Sequence, residues 1–166
     1  MGVPFLFDPG KQTPRLTAEQ ILDGLNGAYA LIGNDYEFAM MSQMTGKSEQ
    51  ELIESVPLTV VTRGDKGSVV SDARSGVRIE TSIDVAPVDA VRDPTGAGDA
   101  YLAGFVCGIA HGLPADTCGK VASLAGAYAI EHHGCQEHSY TQQEFYTRYM
   151  GAFGADDAVR IALGAV

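Results

Sequence analysis

"DPTGAGDAYLAGF", residues 93–105, is the stretch on which the reading of this chain turns. Asp93 and Asp99 bracket a Thr and two glycines, and an apolar run follows at once. Gly96 and Gly98 carry no Cβ, so they permit a tight turn and a close approach of a ligand to the backbone. The amides of Gly96, Ala97, Gly98 and Asp99 would then be the unpaired donors of a helix start. With the helix dipole they make an anion site. The dipole alone supplies only ~0.3–2 kcal/mol. Aimed at charge that develops in a transition state, each such donor is worth roughly 10²–10³ in rate. A carboxylate suits an anion site only if it has another task, and Asp99 could accept a proton from a hydroxyl nucleophile. Phosphoryl transfer needs that pairing of cradle and base. The plainer reading makes Asp99 a helix cap behind a Gly-rich turn. The prefix Asp93-Pro94-Thr95 lengthens the string and makes it more specific.

Two other phosphate motifs fail. Gly46-Lys47-Ser48 resembles the end of a Walker A loop, but Met41 holds the place of its first Gly. Gly96-x-Gly98 resembles the dinucleotide fingerprint, but Tyr101 fills the third Gly position. A dinucleotide-binding module is therefore the weakest of the functional readings.

Around this stretch the chain alternates strand and helix signals. "VPFLF" (3–7) reads as a buried strand closed by Asp8-Pro9-Gly10. "TAEQILDGLN" (17–26) reads as a helix with Thr17 as N-cap and Gln20 at the capping-box position. A strand is expected at 28–33, then a helix opened by Asn34, with Glu37 three residues on, and stopped by Gly46. Ser48 and Glu51 open another short helix. Strands are expected at 58–64, 67–72 and 77–82, with 83–91 extended. After the glycine turn, Leu102, Phe105, Val106 and Ile109 fit one helical face, and Ala100, Gly104 and Gly108 form a small-residue stripe. A helix from about Ala115 to His133 follows, with Val121, Leu124 and Tyr128 inward and Gly134 as stop. Thr141 to Glu144 is a capping box that opens a last helix, and Asp156-Asp157 reads as solvated surface. The pattern predicts one α/β domain over 1–166, with a sheet parallel in its first half. Ligands bind beyond the carboxyl ends of such strands, where Asn34, Thr62-Arg63-Gly64 and the 93–99 turn fall.

Composition bounds the chemistry. A chain of 166 residues, 45% apolar, can bury a real core. The net charge of −10 argues against a nucleic-acid or anionic-membrane partner, though not against a small anion held by backbone amides. Three cysteines, none in a CxxC pair, suit buried thiols in a reducing compartment. No signal peptide or membrane span is visible, so the expected location is cytoplasmic. His132, His133, Cys135 and His138 lack the spacing of a structural zinc site. Met40, Met41 and Met44 read as core filler.

The string at 93–105 resembles the second signature of the PfkB, or ribokinase-like, carbohydrate and nucleoside kinases. Asn34-x-x-Glu37 resembles that family's NxxE motif, and "VVTRGDKGSVV" its nucleotide-binding strand and turn. "VASLAGAYAIEHHGCQEHSYTQQEF" resembles its C-terminal nucleotide-side helix and loop. The wording is most similar to bacterial members called adenosine kinases. The resemblance implies a ribokinase-like three-layer α/β/α sandwich, here incomplete. It covers the C-terminal part of the Rossmann-like core, and the first Gly-Gly signature and the N-terminal lid strands are absent.

It also implies roles. Asp99 would be the general base, and Gly96, Ala97 and Gly98 the anion hole. Glu37 with Asn34 would place magnesium and its waters, and Thr62, Gly64 and Gly67 would line the ATP site. Asp93 and Thr95 would hold a monovalent cation, usually potassium. Ser123 stands where ribokinases often have Asn. The activity implied is transfer from ATP to a hydroxyl of a nucleoside or sugar, adenosine first. The alternative is a non-catalytic nucleotide-binding remnant without an acceptor site. "VPFLF" is then expected as a central strand that misses a neighbour, which predicts pairing through an exposed edge, a partner chain or a homo-oligomer.

Overall fold

The structure, a computed structural model, describes residues 3–165. The chain divides after Ser82 into two compact units.

The first unit carries the sheet. Strands β1 (Leu6–Phe7), β2 (Ala30–Asn34), β3 (Leu58–Thr62), β4 (Ser68–Asp72) and β5 (Ile79–Ile83) lie in the order β1-β2-β3-β4-β5. β1, β2 and β3 are parallel and β4 returns antiparallel to β3, as expected for the first half of the sheet. β2 and β3 are five-residue strands whose first four residues are buried and whose last is half-buried. Such continuous burial is what a strand covered on both faces requires. Helices α1 (Ala18–Leu25), α2 (Asp35–Thr45) and α3 (Glu49–Glu54) connect the parallel strands. Each begins with the capping box read in the sequence: Thr17 with Gln20, Asn34 with Glu37, Ser48 with Glu51. Ile21, Leu31, Phe38, Met41 and Leu52 form its fully buried centre, and Met44 packs against it.

β1 lies at the sheet edge and pairs with β2 alone, as expected of a strand that misses a neighbour. It differs from expectation in length and burial: only Leu6 and Phe7 form it, half-buried, while Val3 and Phe5 are exposed. A Tyr29 N–H···O Phe5 bond of 2.8 Å extends the pairing by one step. After β5 the expected extended stretch to Val91 is irregular instead. Its Ala86 amide is held by the Ser123 hydroxyl at 2.8 Å, and that hydroxyl donates to Asp84 O at 3.0 Å.

The second unit is helical: α4 (Ala97–Ala110), α5 (Ala115–Ile130), α6 (Gln142–Phe153) and α7 (Asp157–Leu163). The α4 stripe that is buried runs Tyr101, Gly104, Phe105, Gly108; of the expected apolar face Phe105 is buried, Leu102 and Ile109 are half-buried and Val106 is exposed. The reason lies in the two glycines. A Cβ on Gly104 would stand 2.8 Å from Ala122 Cα, and one on Gly108 2.8 Å from Cys118 Sγ. Close backbone approach therefore turns the small-residue face inward and swings the larger apolar residues outward. α5 buries Val121 and Leu124 and stops at Ile130, three residues short of expectation. α6 opens with the expected Thr141–Glu144 capping box. α7 was not legible as a helix. Asp156, read as solvated surface, caps it by accepting from the amides of Ala158 (2.9 Å) and Val159 (3.3 Å). Of the three free cysteines only Cys118 is buried; Cys107 and Cys135 are exposed, contrary to the expectation of buried thiols.

Candidate active site

In the first unit, register builds the candidate nucleotide side. Asn34 ends β2 and Thr62 ends β3, and the parallel pairing sets them directly side by side. Thr62 Oγ1 donates to Gly33 O at 3.4 Å. Asn34 Oδ1 accepts from the Glu37 amide at 2.8 Å, and Glu37 Oε2 accepts from the Asn34 amide at 2.8 Å. Gly33 makes room for this carboxylate: a Cβ there would lie 3.1 Å from Glu37 Oε2. Glu37 thus uses one carboxylate oxygen, Oε2, as a cap. Beyond Thr62 the chain turns through Gly64 (φ +58°) and Gly67 (φ +78°), left-handed conformations that favour glycine. The Arg63 amide closes the turn on Gly67 O at 2.8 Å. Asn34, Glu37, Thr62 and the two glycines therefore collect at the carboxyl ends of β2 and β3, as the sequence predicts.

In the second unit, the 93–99 turn opens α4. Gly96 is the N-cap, left-handed at φ +84° and without a side-chain cap. Asp99 sits in the first helical turn, exposed, and its carboxylate caps nothing. The cap reading of Asp99 therefore fails on geometry. The Ala97 amide reaches Pro94 O at 3.3 Å and Ala100 bonds Gly96 O at 2.9 Å. The amides of Gly98 and Asp99 fall in the turn where a helix supplies no acceptor. Asp93 Oδ1 accepts from the Thr95 amide at 2.9 Å, and Oδ2 from the Gly134 amide at 3.0 Å. The Thr95 hydroxyl, with the Gly134 and Thr95 amides, holds the Asp93 carboxyl down at about 2. Asp93 is thus an anion throughout the physiological range.

Ser123, whose departure from Asn put the adenine contacts in question, is tied to the 84–86 segment as described above. That structural role could not be read from the sequence, because its partners lie 37 and 39 residues away. Among the described residues no group of three or more His, Cys, Asp or Glu is arranged to hold a metal ion. An apolar cavity of about 240 Å³ lies beside α4, lined in part by Ala103, Cys107, Val121, Tyr140 and Phe145; neither Asp99 nor a glycine of the turn lines it. No helix among the described residues is long and apolar enough to cross a membrane.

The model of the pfkB family carbohydrate kinases matches residues 1–142, and the chain belongs to that family. It is 32% identical over 130 residues to a nucleoside kinase of Methanocaldococcus jannaschii, which covers 78% of this chain and 42% of that one. It is 30% identical over 161 residues to a nucleoside kinase of Methanothermobacter thermautotrophicus, covering 96% and 50%. The structure of Burkholderia thailandensis nucleoside kinase in complex with inosine superposes with a TM-score of 0.87 at 36% identity, over 93% of this chain and 49% of that one. The fold is a partial ribokinase-like α/β fold, and the chain spans about half the length of the curated relatives it matches.

Proposed function

We propose that this chain is the nucleotide-handling half of an ATP-dependent kinase that phosphorylates a hydroxyl of a nucleoside. The observation that carries the proposal is the opening turn of α4. Asp99 stands uncapped beside the backbone donors of Gly98 and its own amide, the pairing of base and cradle that phosphoryl transfer requires. Relatives named nucleoside kinase, and one neighbour solved with ADP-inosine, support a nucleoside as acceptor over a sugar. Adenosine is the first acceptor to test, on the wording of the 93–105 string, and inosine is its rival.

In this reading Asp99 takes the proton of the acceptor hydroxyl as that oxygen attacks the γ-phosphorus in line, the bond from that phosphorus to the β,γ-bridging oxygen breaks, and ADP leaves. The amides of Gly96, Ala97 and Gly98 receive the charge that grows on the transferred group. Ala97 contributes least, since its N–H already points at Pro94 O. Thr62, Gly64 and Gly67 line the remaining nucleotide, and Asn34 orients Glu37. Magnesium neutralises phosphate charge in such transfers. One carboxylate oxygen of Glu37 with the Asn34 side chain suits a magnesium ion that keeps several waters. Asp93 and Thr95 offer hard oxygens with a single negative charge, a donor set fit for potassium rather than a divalent ion.

The test is ATP-dependent phosphorylation of adenosine, inosine, other nucleosides, ribose and fructose by this chain, with Asp99→Asn as control. Turnover on a nucleoside, lost in the variant, supports the proposal. ADP binding without turnover favours the second reading, a nucleotide-binding half without an acceptor site, for which the half-length match to the relatives speaks.

A further inference from the structure

We infer that Asp93 is a positioning residue for the glycine turn: through Gly134 it clamps the 134–135 segment behind Gly96, and so fixes where the first amides of α4 point. The inference rests on the phosphate-handling reading of that turn and deepens it.

The residues from Arg92 to Gly96 are tied at several places to the end of α5 and the segment beyond. The amides of Arg92 and Asp93 both donate to Ile130 O, at 2.8 and 3.2 Å. The Asp93 carboxylate then bridges two backbone donors 39 residues apart, Thr95 and Gly134. Finally Gly96 lies so close to the same segment that a Cβ on it would stand 3.1 Å from both Cα and Cβ of Cys135. Gly134 takes a left-handed φ of +89° that suits glycine, and its N–H donates to the carboxylate. Charge-assisted bonds of this kind are roughly twice as strong as neutral ones. Without them, the turn would hang on a left-handed glycine with no side-chain cap. A helix N-terminus that must meet a phosphoryl group within a few tenths of an ångström gains from such a fixed backing.

Asp93→Asn separates positioning from simple stability. The Asn side chain keeps an oxygen for the Thr95 amide, so the local Asx turn survives. Its NH2 group meets the Gly134 N–H donor to donor, so the clamp opens. The experiment is amide hydrogen exchange and ¹⁵N NMR on the 166-residue chain, wild type and variant, in potassium-free buffer, followed by titration with ADP and magnesium. We expect Gly134 to be protected in the wild type and to exchange at least ~10-fold faster in the variant, in line with the loss of one charged hydrogen bond. The Gly98 and Asp99 amide resonances should move while those of β2 and β3 stay, and ADP affinity should fall at least ~10-fold by the same bond energy. Asp93→Ser, too short to reach Gly134, should reproduce the effect if the Asn variant does not fold. An unprotected Gly134 in the wild type, or unmoved Gly98 and Asp99 resonances in the variants, overturns the inference. A wild type that binds no ADP overturns the functional reading instead, and the exchange data still decide the clamp.

Discussion

The two candidate regions, one in each compact unit, are held in opposite ways. At the ends of β2 and β3 the side chains do their own fastening: Asn34 and Glu37 bond each other's amides, and strand register sets Thr62 beside Asn34. At the start of α4 the functional side chain is left unfastened. Asp99 caps nothing, and its surroundings are fixed by Asp93, Gly96 and the 134–135 segment. The contrast teaches where substitutions should show. In the first region a change strikes stability and ligand placement together. In the second, stability and the proposed chemistry should come apart, because Asp99 carries none of the architecture.

Asp99→Asn breaks the comparison at its most exposed point. Phosphotransfer should fall ~10²–10⁴-fold, the usual contribution of a general base, with melting temperature and ADP affinity unchanged. A comparable drop in stability would show that Asp99 is structural after all. Gly104→Val tests the backing of the second unit. Its Cβ would stand 2.8 Å from Ala122 Cα, where backbone must yield, so a loss of ~1–3 kcal/mol in denaturant unfolding is expected. Asn34→Ala removes the cap of α2 and should cost ~1 kcal/mol in the same experiment. Glu37→Gln keeps an oxygen for the Asn34 amide and loses only the charge. It should leave unfolding nearly unchanged while weakening magnesium-dependent nucleotide binding, measured by calorimetry with and without the ion. The smallest effect is in acid. Glu131 is held below the usual carboxylate range by Arg148, which bonds it at 2.6 and 2.7 Å, and by the Asp89 amide. A depressed folded-state value means that this contribution is complete above the ordinary Glu range and fades as pH falls through it. The stability difference between wild type and Glu131→Gln should therefore shrink on acidification below about pH 4.3.

Much of this was legible because it is local. A capping box needs residues three apart, and all four boxes read in the sequence are present. The glycine turn and the residues at the ends of β2 and β3 were likewise found by spacing and strand order. Three features resisted. The inward face of α4 was legible only in part: the small-residue stripe through Gly104 and Gly108 and Phe105 are buried, but Tyr101 faces inward and Val106 is exposed. Asp156 was missed as a cap because the short α7 carries little periodic signal. The Asp93–Gly134 bond joins residues 41 apart and leaves no local trace.

Residue order alone therefore settled the kind of most elements, the four capping boxes and the glycine start of α4, and it pointed to Asp99 as the candidate base, since each depends on neighbours within a turn or a strand. Packing in three dimensions settled which face of α4 is buried, that Ser123 anchors a loop, and that Asp93 fastens the turn to a distant segment. These depend on distances between atoms far apart in the chain, which close only when helices and loops come together.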